Sequence, residues 1–534
     1  MNIRRIVVIV VHGIGEQRRF GSLEEVVLNL VKALRKARPG RQVHIEVYEG
    51  DQAERHAAET SWRDSPVRVS WLADGLRMEA VFREVFWADL DYPVSFTRWV
   101  RLVRWALTLP GVRIFSLGDG NLGTQEGDPS AHGLLSAPQL SVGRRVWVRL
   151  QLGLICCPLF VILIFANVAQ TLLKRLSFNL PLNRILYDYL GDILLYQDWL
   201  VRGSRVEGLD EKSRVAIRRR MVRTLVRTAA ECCGDSARHE GYYLFTHSLG
   251  TVAAFNALME PSHVLPSYLT EEEWNRLPAD WKQTRSAGAP AAQAPQRPPW
   301  LSERDALSRG KLLEKLQGFL TVGSPLDKFA GLWPAIVPVN EEKPDNDVTW
   351  LNVSDVQDIV GAGIDLFDRP VREGGQRVDL AGLGFRLTNW DWVGTPWIFT
   401  AHTSYWTTHP GRERLMDRLI PWLERSTFPQ PPPDLFGKGA ATFVFWISSL
   451  LSILLLFVLD TFIVEYLPSV LQPLVDRLGL GVWLNLSLPE SLTFWPLLGA
   501  IVIASVLGVL GGSLARRAYE RARFGKQYVK SFGG

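Results

Sequence analysis

The sequence predicts an α/β protein: a doubly wound, mostly parallel sheet carried by two separated stretches of chain, with a membrane-associated insertion between them and a C-terminal transmembrane helical hairpin. Three observations predict it. Short β-branched runs alternate with helical repeats across residues 1–95 and 202–427. Uncharged apolar runs long enough to span a bilayer lie between and after those stretches. The chain's 534 residues exceed one ordinary core, and 47% of them are apolar, with a mean hydropathy of +0.03.

The first element is the run Ile6–Val11, a buried parallel strand that ends in His12-Gly13. It is too short, and lacks the small-residue cleavage site, to read as a signal peptide. A helix follows, with Val26, Val27, Leu30, Val31 and Leu34 on one face and Pro39-Gly40 after it. Further strands are expected from Gln42 and from Val81. Residues 96–201 form the insertion. Thr97–Phe115 interleaves arginine with tryptophan, as interfacial segments do. Leu152–Leu173 carries no charge, with Arg144, Arg145 and Arg149 before it and Lys174-Arg175 after it.

The soluble pattern returns near Arg202. SRVAIRRRMVRTLVRTAA is an amphipathic helix with Val215, Val222, Leu225, Val226 and Ala229 on one side; its arginines read as a solvated face, with anionic lipid as the alternative. A strand over Tyr242–Phe245, another helix, strands from Leu316 and from Val348, and a last helix over 412–425 complete the domain. Residues 280–300, rich in Ala, Pro and Gln, read as a disordered insertion. A proline-rich linker spans 428–439, and the hairpin spans 440–515, its two runs being Ala441–Leu459 and Phe494–Ala515.

Charge sets the expected orientation. The tail, 516–534, carries Arg516, Arg517, Arg521, Arg523, Lys526 and Lys530, whereas the loop Thr461–Thr493 has Arg477 alone. The positive-inside rule places the tail, and with it the domain before the hairpin, in the cytoplasm of a multi-pass membrane protein. If residues 12 and 248 share one site, the chain between them crosses the bilayer an even number of times.

The net charge of +5 and a pI near 9.0 do not call for nucleic acid, and no nucleic-acid motif is present. The four cysteines form two adjacent pairs, Cys156-Cys157 and Cys232-Cys233, without metal-ligand spacing. Free thiols fit a reducing compartment. No metal or other cofactor is expected.

The stretch Thr246-His247-Ser248-Leu249-Gly250 sits where an apolar strand meets a helical run. A serine there is either a helix N-cap or a nucleophile presented on a sharp strand-to-helix turn. The turn pattern G-x-S-x-G has its second glycine in Gly250, while Thr246 stands at the first, adding strain. Serine acyl transfer also needs a base, an orienting carboxylate and an oxyanion hole. His402, in AHTSYW before the last helix, is the expected base, and His409 the weaker alternative; His263 comes too early. Asp355 and Asp358 follow a late strand, and Asp327 lies one strand earlier. Backbone N–H groups of Leu249 and of Ile14, within His12-Gly13-Ile14-Gly15, would hold an oxyanion. His247, beside the nucleophile, reads as structural.

The blocks VVHGIGEQ, FTHSLGTVAAF, FLTVGSPLDKF, WLNVSDVQDIVG and AHTSYW, with FREVFWADL beside them, resemble the α/β-hydrolase lipases, especially the DDHD-type phospholipases and GPI inositol deacylases. Together they anchor most of residues 1–425 and do not extend to the insertion or the hairpin. The resemblance implies an α/β-hydrolase fold, with Ser248 as nucleophile, Asp358 as acid and His402 as base. With the anchoring read from the apolar segments, the expectation is a membrane-anchored serine hydrolase cleaving a carboxylic ester or thioester, with a lipid or another acylated molecule as substrate on the grounds of location and resemblance together. A catalytically inactive hydrolase-fold scaffold is the alternative, motivated by Thr246 and the large insertion.

Overall fold

The computed structural model describes residues 3–13, 19–38, 43–47, 67–88, 135–136, 204–206, 209–211, 213–233, 239–284, 295–332, 337–340, 342–355, 358, 360–364, 380–392, 401–406 and 414–431. Eight strands form the main sheet: β1 (Ile3–Val11), β2 (His44–Val47), β3 (Val67–Ala73), β4 (Leu76–Val85), β5 (Gly241–His247), β6 (Leu316–Val322), β7 (Val348–Asp355) and β8 (Phe385–Trp392). Their spatial order is β8-β7-β6-β5-β1-β4-β3-β2. From β4 through β1, β5, β6 and β7 the pairing is parallel. The edge beyond β4 is antiparallel, β3 on β4 and β2 on β3.

The central strands explain their own position. Ile6–Val11 is buried throughout, which only a strand covered on both faces can be, and its β-branched residues suit that setting. Alternate residues of β5 serve opposite faces. Tyr242 and Leu244 join a core with Val222, Leu225, Val252, Phe255 and Trp350. Tyr243 and Phe245 pack against Trp422, at ring distances of 5.4 and 6.5 Å.

Helices cover both faces. They are α1 (Gly21–Ala37), α2 (Ser213–Glu231), α3 (Leu249–Leu258), α4 (Glu271–Arg276), α5 (Arg309–Leu313), α6 (Leu326–Leu332) and α7 (Leu415–Arg425). The expected stripe of α1 is buried, as are Val215, Val222, Leu225, Val226 and Ala229 of α2. Helices α1 and α7 are tied together by Lys36–Asp417 at 2.8 Å and by Arg38 on Glu424, which also accepts from Trp71 Nε1 at 2.7 Å.

The sheet departs from the sequence expectation at its edge. β3 and β8 were not anticipated, and the strand expected from Val81 begins at Leu76. β3 and β4 form a hairpin across Asp74 and Gly75, whose φ values are 46° and 85°. Two consecutive positive φ values are what an Asp-Gly hairpin turn requires. That dipeptide carried the signal for an antiparallel pair.

Two further expectations are corrected. The arginines of α2 are not a solvated face: Arg214, Arg218, Arg219, Arg220 and Arg223 are buried. Each of the last four has a built partner. Arg218 pairs with Glu260, Arg219 donates to Ser267 O (3.0 Å) and Arg220 to Phe86 O (2.8 Å), while Arg223 and Arg227 both engage Glu273. The disordered insertion expected over 280–300 is ordered at both ends. Lys282–Thr284 pairs with Asp305–Leu307, Trp281 is buried, and Trp300 packs on the core; residues 285–294 lie outside the described residues.

The chain divides into two compact units, Met1–Asp391 with Met416–Pro429, and Trp392–Leu415 with Gln430–Gly534. Among the described residues no helix is long and apolar enough to cross a membrane. The segments Leu152–Leu173, Ala441–Leu459 and Phe494–Ala515, and the tail after them, lie outside the described residues.

Candidate active site

Register brings the carboxyl ends of the central strands level. Val11 of β1 lies beside Val85 of β4 and Thr246 of β5, and His247 lies beside Val322 of β6, itself paired with Val353 of β7. After β1 the next strands in the chain fall on one side of it; after β5 they fall on the other. The pair β1–β5 is thus the point where the winding reverses. In open α/β sheets, ligands bind outside the carboxyl ends of the strands at that point.

Ser248 stands there, between β5 and α3, with φ 54° and ψ −132°. A residue with a Cβ is strained in that conformation, by about 1–3 kcal/mol. The hydroxyl does not act as the helix N-cap. Other contacts hold the strain. Ser248 N–H donates to Val322 O at 3.0 Å. The Ser248 carbonyl accepts from Thr251 N (2.9 Å) and Thr251 Oγ1 (2.7 Å). With its proton so used, Thr251 Oγ1 accepts from Ser324 Oγ at 2.7 Å. All three side chains are buried.

The end of β1 presses directly on this turn. A Cβ on Gly13 would sit 2.6 Å from Ser248 Cβ and 3.0 Å from His247 Nδ1. A Cβ on Gly250 would sit 2.3 Å from the His12 carbonyl oxygen. Glycine at both positions is therefore a requirement of approach. His12 fixes the β1 end: Trp87 N–H donates to Nε2 at 2.9 Å, so the proton is on Nδ1, which donates to Gly13 O at 2.7 Å. The ring also stacks on Trp87, 4.8 Å between centroids.

Thr246 is accommodated without a clash. Its Oγ1 donates to Leu320 O of the neighbouring strand at 2.9 Å, and the residue is wholly buried. The strain expected at this position falls instead on Ser248. Leu249, the first residue of α3, is buried, with its N–H in the first turn of the helix. Ile14 and Gly15 lie outside the described residues.

The carboxylate candidates cluster at the next strand ends. Asp355 closes β7 and its carbonyl accepts from Asp358 N at 2.9 Å. Asp358 Oδ1 accepts from Val360 N and Gly361 N, both at 2.8 Å. Asp327 lies in the first turn of α6. All three are buried. Beside them, Lys328 Nζ donates to Val360 O (2.9 Å) and Gly361 O (3.2 Å). Burial pulls this ammonium down to about 8 against the opposing charges of Asp358 and Asp327.

His402 lies in the second unit, within the described run 401–406, and is buried along with Ala401, Ser404, Tyr405 and Trp406. His409 lies outside the described residues. His263 is half-buried, its carbonyl accepting from Arg297. Among the described residues, no group of three or more His, Cys, Asp or Glu could hold a metal ion.

The sequence reading missed Thr251, Ser324, Lys328 and Trp87, although all four stand inside the quoted blocks. Their roles depend on contacts across strands, which spacing along one strand does not reveal. No family model, curated protein or solved structure matches this chain.

Proposed function

We propose that the chain is a serine hydrolase of the α/β-hydrolase type, acting on a carboxylic ester or thioester. The observation that carries this reading is Ser248: a non-glycine residue at φ 54° on the sharp turn after a central strand, with Gly13 pressed against its Cβ. Strain of this kind persists only where the surroundings impose it, and nucleophile turns of serine hydrolases use it to present the hydroxyl. The placement of that turn at the winding reversal is a second, independent support.

In this reading Ser248 Oγ attacks the substrate carbonyl while His402 takes its proton. Asp358 orients the imidazole and stabilises its cationic form. The N–H groups of Leu249 and Ile14 hold the oxyanion of the tetrahedral intermediate. Collapse expels the alcohol or thiol, which receives the proton from His402. Water, deprotonated by His402, then attacks the acyl-enzyme, and the carboxylate leaves as Ser248 regains its proton. Asp355 remains the runner-up for the acid.

A membrane setting belongs to the same proposal. The apolar hairpin segments 441–459 and 494–515 and the basic tail support a multi-pass chain whose hydrolase domain faces the cytoplasm, while 152–173, lying in the chain between the paired strands β1 and β5, re-enters, crosses together with a neighbour or lies in the interface. A site tethered to a bilayer suits an acyl lipid or another acylated small molecule.

The test is fluorophosphonate labelling of membranes that contain the full chain. Wild type labels; Ser248→Ala and His402→Ala do not. Folded wild-type protein that takes no label, and hydrolyses neither acyl lipids nor short esters, would overturn the assignment.

A further inference from the structure

We propose that Lys328 is a positioning residue that fixes the loop carrying Asp358; this rests on reading Asp358 as the triad acid. The loop between Asp358 and Gly361 is gripped from two sides. Asp358 Oδ1 takes the N–H groups of Val360 and Gly361. Lys328 Nζ, from the first turn of α6, takes the carbonyls of the same two residues. One side chain thus satisfies the donors and the other the acceptors of Val360 and Gly361.

The grip extends to the nucleophile. Ala362 N–H donates to Ser324 O at 3.0 Å, and Ser324 Oγ is the partner of Thr251, which holds the Ser248 carbonyl. Gly361 packs too closely on Gly323 to accept a side chain, a Cβ falling 2.7 Å from Gly323 Cα.

Charge on Lys328 therefore matters to the acid. The charged groups set against it are Asp358, in the loop, and Asp327, on its own helix; both favour the ammonium, while burial opposes it and holds it near 8. As pH rises through that value the ammonium becomes an amine, and its bonds to the carbonyls weaken. The loop loosens and Asp358 loses its aim.

The experiment measures fluorophosphonate labelling rates from pH 6 to pH 10.5, with the full chain in membranes, for wild type, Lys328→Met and Lys328→Arg. Wild type is expected to lose about tenfold in rate through an alkaline limb near pH 8. Lys328→Met should label about tenfold more slowly at pH 7 and show no such limb. Lys328→Arg, which keeps a charge and donors for both carbonyls, should restore the rate and carry it past pH 10. A Lys328→Met protein with wild-type rate and limb overturns the inference, as does a limb at pH 8 that survives in Lys328→Arg. The arginine comparison decides the matter even if the methionine variant does not fold. Wild type that takes no label defeats the hydrolase reading itself, and the inference falls with it.

Discussion

The strain at Ser248 predicts an inverted order of stability between two substitutions at one site. Ser248→Ala and Ser248→Gly both remove the hydroxyl, so both abolish labelling. They differ in a single methyl group. At an ordinary helix or strand position alanine is more stable than glycine by roughly 0.5–1 kcal/mol. At φ 54° and ψ −132° the alanine Cβ keeps the strain of the native serine, about 1–3 kcal/mol, and glycine releases it. Glycine gives back about 0.4–1 kcal/mol through the greater freedom of its unfolded chain. The balance leaves Ser248→Gly ahead of Ser248→Ala by about 1 kcal/mol, or roughly 1–2 °C in Tm for a domain of about 320 residues. Side-by-side melts of the two full-length variants in the same detergent measure it. Alanine equal to or above glycine would refute the argument, because it would mean that the backbone at Ser248 is relaxed. The result does not depend on any catalytic activity.

Three other outcomes follow from contacts already described. Gly13→Ala brings a Cβ to 2.6 Å from Ser248 Cβ, short of ordinary carbon contact by about 1 Å. It should cost about 1–3 kcal/mol in a melt and slow labelling by on the order of 10²-fold as the serine is displaced. Arg218→Met leaves Glu260 buried without its partner and should destabilise by about 3–5 kcal/mol in urea unfolding, with Glu260→Met in the same chain recovering most of the loss. Glu25 is half-buried on α1, and burial raises its carboxyl from 4.5 to about 7. The folded state therefore holds a proton that the unfolded chain has released between those values, so stability falls as pH rises through the window. Glu25→Gln, which does not titrate, should melt above wild type at pH 8, with the difference vanishing towards pH 4.5.

The local elements were legible because each depends on residues close in sequence. The β-branched run Ile6–Val11 favours a strand buried on both faces, and the period of Val26, Val27, Leu30, Val31 and Leu34 fits a helix with one apolar side. The strand ends were legible for the same reason: His12-Gly13, Thr246–Gly250 and Asp355–Asp358 each break an apolar run with polar or small residues. Where two signals lay on one element, the sequence reading chose wrongly. The arginines of α2 looked like a solvated face, because nothing along that helix announces Glu260 or Glu273, tens of residues away.

By itself, then, the sequence determined the α/β class, the order of its central strands along the chain and the short list of polar groups at their ends. Periodicity and β-branching act within one element, and they suffice for that. Tertiary structure alone decided which strands are neighbours and that Gly13 lies against Ser248. It alone decided that the strain falls on Ser248 and spares Thr246, whose hydroxyl finds the Leu320 carbonyl across the sheet. Each of these depends on register and close approach between segments far apart in the chain, and no pattern within a single segment records what will be pressed against it.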